Sequence, residues 1–93
     1  MPKECIETIS GRGRLNLSDR LVELDFVIRV FQEYVEGVPT LRSARGGLKL
    51  PHGDVAFAML DRKPLKLELQ EGRSANILFT EVDGTFVVTG PIA

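Results

Sequence analysis

DRLVELDFVIRVFQEYVE, residues 19–36, satisfies two periods at once. Read by twos, Val22, Leu24, Phe26, Ile28 and Val30 face one way, while Glu23, Asp25 and Arg29 face the other. Read as a helix, Asp25, Arg29, Gln32, Glu33 and Glu36 gather on one side and the rest is apolar. Ser18 stands where a cap belongs, Gly37 where a helix ends, and Pro39 follows as a stop. Composition separates the two readings. Val22, Val27, Ile28, Val30 and Val35 are β-branched, and Phe26, Phe31 and Tyr34 are aromatic. Such side chains lose rotamer freedom in a helix and pack well on a pleat. The expectation is therefore one long, bulged strand, and the alternative is a helix over 19–36.

The flanking segments support the strand. Leu65, Leu67 and Leu69 alternate with Lys66, Glu68 and Gln70, and Ala75, Ile77 and Phe79 alternate with Asn76, Leu78 and Thr80. Glu71-Gly72 turns the chain between them. Asp83-Gly84 reads as a type I′ hairpin turn before Thr85-Phe86-Val87-Val88-Thr89. A three-stranded antiparallel meander follows. Further turn signals (Gly37-Val38-Pro39, Pro51-His52-Gly53-Asp54, Asp61-Arg62-Lys63-Pro64) recur at about the 8–12-residue spacing of all-β domains. Strands are expected near 5–10, 12–17, 20–33, 40–50, 54–60, 64–70, 74–81 and 85–90, with mergers or bulges among the first three. The fold class is all-β, a small antiparallel barrel or compact sandwich of six to eight strands. The alternative is α+β, with residues 19–36 as a helix packed on an antiparallel sheet.

One phrase occurs twice. Ser10–Leu17 reads SGRGRLNL and Ser43–Leu50 reads SARGGLKL. Two copies do not make a solenoid, which needs at least three or so to bury its faces. The first reading is a bent strand entry used twice: the glycine permits a close crossing and the two leucines point inward. The second is an anion site in which Arg12, Arg14, Arg42 and Arg45 converge on the phosphate of a nucleotide, a phosphorylated small molecule or a nucleic-acid backbone.

Familiar phosphate motifs are not met. Gly11-Arg12-Gly13 lacks the third glycine of a dinucleotide fingerprint, and no P-loop is present. PilZ barrels bind cyclic dinucleotides through Arg-x-x-x-Arg followed by Asp/Asn-x-Ser-x-x-Gly. Asn16-Leu17-Ser18 begins like the second motif, but Leu21 stands in the glycine's place. Arg42 and Arg45 are also too closely spaced for the first motif and come after the second, so the chain is not assigned to that family.

Catalytic constellations are equally thin. His52 is the one histidine and sits in an expected turn beside Asp54. Cys5 is the one cysteine, with no base beside it, and reads as a buried or half-buried strand residue. One His and one Cys do not assemble zinc. Asp61, Glu81 and Asp83 lack the spacing of a calcium loop. Phe26, Phe57, Phe79 and Phe86 read as core, leaving Phe31 and Tyr34 as the aromatics open to a nucleic acid. No metal, no cofactor and no enzymatic activity are expected.

The bulk properties agree. Ninety-three residues, 43% hydrophobic and 27% charged, suit one soluble domain over 1–93. A net charge of −1, from 12 basic and 13 acidic residues, gives no general attraction to nucleic acid or acidic membranes. Nothing reads as a signal peptide or a membrane span, and a single cysteine permits no internal disulfide; a reducing, cytoplasmic setting is the expectation. Edge strands in so small a sheet need closing, charging or pairing, and pairing makes a symmetric dimer. The function expected is a non-enzymatic binding or protein-interaction module, homodimeric through its edge strands, with the anion-binding barrel as alternative.

Overall fold

The computed structural model describes residues 3–17, 20–61, 63–90 and 92. Six antiparallel strands form a closed barrel: β1 (Lys3–Asn16), β2 (Leu21–Val35), β3 (Val38–Leu48), β4 (Leu65–Glu68), β5 (Ser74–Phe79) and β6 (Thr85–Val88). The order around the barrel is β1-β2-β3-β6-β5-β4. Among the described residues one α-helix, α1 (His52–Asp61), lies between β3 and β4, and a short 3-10 turn, Gln70–Gly72, lies between β4 and β5.

Residues 19–36 are the strand β2 from Leu21 onward, not a helix; Ser18 and Asp19 lie outside the described residues. Leu24, Phe26, Ile28 and Val30 are buried as the period of two requires, and Val22 is half-buried. With β4, β5 and β6 they enclose a core that includes Leu15, Leu67, Ala75, Ile77, Phe79 and Phe86. Strand β2 runs 15 residues, far past the usual five or six. It is long because it serves two structures. Its first half belongs to the barrel. Its second half is the centre of a three-stranded arm with the start of β1 and the start of β3.

Two short seams close the barrel: Arg14 and Leu15 of β1 against Glu68 and Leu67 of β4, and Arg45–Gly47 of β3 against Thr85–Val87 of β6. Beyond the seams, among the described residues, β1 before Arg14 and β3 before Arg45 pair only with β2. The arm draws the molecule out to 46 × 28 × 17 Å.

Three turns are glycine-dependent. Glu36-Gly37, between β2 and β3, has φ of 51° and 78°, and Glu71-Gly72, between β4 and β5, has 60° and 74°. Both positive values are what a type I′ hairpin demands. Asp83-Gly84 differs from expectation. Only Gly84 has positive φ, and a longer loop spans 80–84, closed by the Gly84 amide on the Glu81 carbonyl (3.2 Å). The Asp83 carboxylate instead accepts from the Thr85 hydroxyl (2.7 Å) and the Thr85 amide (2.9 Å). Those two bonds, the hydroxyl's first, hold its pKa below the ordinary carboxylate value.

Several expectations are corrected. The strand expected at 54–60 is α1. Pro51 opens it, its carbonyl accepting from the amides of Asp54 and Val55. Val55 is buried and Ala58 and Met59 half-buried, a helical spacing that a short apolar run conceals. Phe57 consequently points away from the core and is 68% exposed. The segments 5–10 and 12–17 merge into one strand, β1, as the expected mergers among the first three allow. Cys5 is exposed, not buried.

Candidate functional site

The doubled phrase is resolved by its glycines. A Cβ on Gly13 would stand 2.5 Å from the Glu68 carbonyl oxygen, and one on Gly46 would stand 1.8 Å from that of Val27. Both copies are strand segments packed backbone to backbone, Gly13 against β4 at a seam and Gly46 against β2, and Leu15, Leu17 and Leu48 point into the core. They do not lie side by side, because β2 runs between them.

The four arginines of these segments are therefore divided. Arg12 and Arg14 lie on the outer face of β1, opposite Asp25 and Glu23 of β2. Arg12 pairs with Asp25 at 3.9 Å, and Arg14 has Glu68 of β4 on its other side. Arg42 is exposed on the opposite face of the arm, across from Gln32, and its Nε donates to Gln32 Oε1 (2.9 Å). Gln32 is buried, and its amide also donates to the carbonyls of Glu33 and Leu41. Arg45 faces outward on β3. The structure thus brings Arg12 and Arg14 together, places Arg45 farther along the same face, and turns Arg42 away from them.

A groove of about 550 Å³ runs beside Arg12 and Arg14, with Lys66 and Arg73 on its walls. Glu23, Glu68 and Glu71 line it too. Cations and carboxylates are interleaved there, so it offers no concentrated positive field.

Farther along the outer face the pattern changes. Arg29 of β2 lies directly opposite Arg45 of β3. Like charges so placed are destabilising, where opposite charges would contribute. Neither arginine makes an ion pair with a described carboxylate, whereas Lys3 on the same face reaches Glu33 at 3.7 Å. The Arg45 guanidinium lies 5.2 Å from the centre of the Phe31 ring, and the Lys3 ammonium 5.8 Å from it. Gly46, Gly47, Val27 and Thr85 complete a groove of about 380 Å³ around the pair. Arg29 was missed in the sequence because it lies outside the doubled phrase.

The arm's tip is apolar on this face. Val35 is 41% exposed, Val38 60% and Leu41 69%. Val35 and Val38 are cross-strand partners beside the hairpin turn. Both outer strands of the arm carry a bulge, near Ile6 in β1 and near Thr40-Leu41 in β3, and Pro39 withholds a backbone donor.

His52 is exposed at the start of α1, and Asp54 is engaged by Arg20 at 3.0 Å. Cys5 Sγ contacts the Glu7 carbonyl and the Thr8 hydroxyl. Among the described residues, no three His, Cys, Asp or Glu side chains come close enough to hold a metal ion. Glu81 and Asp83 sit in the β5–β6 loop, and the Asp61 side chain lies outside the described residues. No helix of the described residues is long and apolar enough to cross a membrane. Comparison with protein-family models, with curated proteins and with solved structures finds no match to this chain.

Proposed function

We propose that the protein is a small non-enzymatic interaction module that self-associates through the tip of its three-stranded arm. The observation carrying this reading is the cluster of Val35, Val38 and Leu41, exposed on one face of an arm that projects beyond a closed barrel. Exposed apolar side chains gathered at one place mark contact surfaces more reliably than scattered ones. The arm's outer strands are also unpaired on one side. Bulges and Pro39 interrupt those edges, so side-chain packing at the tip, rather than a continued ladder, carries the contact. A second copy supplies the same apolar patch, and a two-fold contact buries both at once.

Light scattering across a concentration series tests this. The expected mass is twice 10.3 kDa at high concentration, falling towards one chain on dilution. Val38→Asp combined with Leu41→Asp is expected to keep the protein monomeric at every concentration with its thermal unfolding intact. A parent protein that stays monomeric throughout overturns the proposal.

A further inference from the structure

We propose that the outer face of β2 and β3 around Arg29 and Arg45 binds a phosphate monoester carried on a small organic group, of the size of a nucleoside monophosphate. The site is separate from the arm's tip: Arg29 and Val35 are six residues apart on one extended strand, about 20 Å.

Charge placement is the first ground. Across this face the other cations stand against carboxylates: Arg12 with Asp25 (3.9 Å), Lys3 with Glu33 (3.7 Å), and Arg14 in register between Glu23 and Glu68. Arg29 and Arg45 stand against each other. Directly opposite residues of an antiparallel pair have Cα atoms only about 4.5–5.5 Å apart. Two planar forks so close can converge on one dianion, and a phosphate monoester has enough terminal oxygens to accept from both. A dianion also removes the repulsion that the empty site carries.

The walls are the second ground. Phe31 lies under the Arg45 guanidinium at 5.2 Å from its ring centre, which orders the fork before any ligand arrives. The same ring lies 5.8 Å from the Lys3 ammonium, which is paired with Glu33 and leaves the anion to the two arginines. Gly47 has no side chain, and among the described residues, its chain neighbours aside, the nearest atom to where its Cβ would be is the Gly84 oxygen at 4.0 Å. That leaves open backbone beside Val27, against which an organic group can lie. A groove of about 380 Å³ is larger than a bare ion needs. Thr85, on the rim, is already engaged: its hydroxyl donates to Asp83 at 2.7 Å. Recognition therefore falls to the arginines.

Calorimetric titration of the whole chain with adenosine monophosphate, inorganic phosphate and adenosine tests the site. Adenosine monophosphate is expected to bind more tightly than phosphate, and adenosine not measurably. Arg29→Gln and Arg45→Gln are each expected to weaken binding about tenfold or more, the loss of one charge-assisted fork. Arg12→Gln, whose parent side chain is paired with Asp25, should leave binding unchanged. Arg29→Gln should unfold at the parent temperature or above it, since it relieves a like-charge contact; Arg45→Gln also gives up the Phe31 contact and should unfold within a few degrees of the parent, so loss of binding cannot be ascribed to loss of fold. Adenosine monophosphate that fails to bind at millimolar concentration, or binds the double variant as well as the parent, overturns the proposal. So does a single-stranded oligonucleotide that binds far more tightly than the mononucleotide.

Discussion

Gly46→Ala is expected to lower the stability of the fold by about 3 kcal/mol, the upper end of what overpacking usually costs. Gly47→Ala, one residue on, is expected to stay within about 0.5 kcal/mol of the parent. The difference lies in what each new methyl meets. At Gly46 it stands 1.8 Å from the Val27 carbonyl oxygen, 2.9 Å from the Val27 carbonyl carbon and 3.0 Å from the Ile28 Cα. These are backbone atoms of a strand paired on both sides, so no rotamer change relieves the clash. Strands β2 and β3 must part. Gly46 is opposite Ile28 on one side and Phe86 on the other, so the gap opens beside two fully buried side chains and the β3–β6 seam. At Gly47 the nearest atom is the Gly84 oxygen, 4.0 Å away. Urea denaturation of the three proteins compares them directly. Equal midpoints for the two variants would show that the close crossing is not as described.

Phe86→Ala is expected to cost about 3–5 kcal/mol, the range for emptying a buried aromatic site. A domain of 93 residues has only about 5–14 kcal/mol in all, so this variant stands at the edge of unfolding. Phe86 has no solvent exposure and meets the Phe79 ring edge to face, centroids 6.4 Å apart at 82°. It sits on β6, between the partners Gly46 of β3 and Phe79 of β5, where the barrel closes. The cavity left by its ring is therefore bounded by several strands that cannot all move inward. Phe57→Ala makes the contrast. That ring is 68% exposed on α1, and its loss should change the denaturation midpoint by no more than about 0.5 kcal/mol in stability. A Phe86 variant as stable as the Phe57 variant would contradict the core.

These two phenylalanines also mark how far the sequence could be read. Alternation made β2 and the meander β4–β5–β6 legible, because a pleat that buries one face leaves a period of two in the residues. Phe57 read as core because its run, Val55 to Leu60, is too short to distinguish a strand from one side of a helix. Asp83-Gly84 reads as a two-residue turn, but the Asp83 carboxylate is committed to Thr85 and only Gly84 of the two has positive φ. The turn read at Glu71-Gly72 is present, and the one signalled by Gly37-Val38-Pro39 is centred one residue earlier, on Glu36-Gly37; both residues of each pair have positive φ.

The arginine placement was the least legible, and its cause is a single residue. From the turn at Glu36-Gly37, Val35 pairs with Val38 and Tyr34 with Pro39. Continued without interruption, that register would set Arg29 opposite Ala44 and turn Arg45 inward. The bulge near Thr40-Leu41 adds one residue to β3, and from there Gln32 meets Arg42 and Arg29 meets Arg45. A one-residue slip exchanges the faces of a strand. It sets Arg42 beside Gln32 on one face and Arg45 beside Arg29 on the other. Nothing in the local composition announces a bulge at that step, so a quartet drawn from spacing alone joined residues from two faces.

Two short seams close the barrel and leave the arm outside it. Nuclear Overhauser contacts between backbone protons test this most directly. Cross-strand contacts are expected between Arg14 and Glu68 and between Gly46 and Phe86, while Thr8–Ser10 and Arg42–Ala44 show backbone contacts to β2 alone. Absence of either seam, or backbone contacts from Arg42–Ala44 to β6, would contradict it.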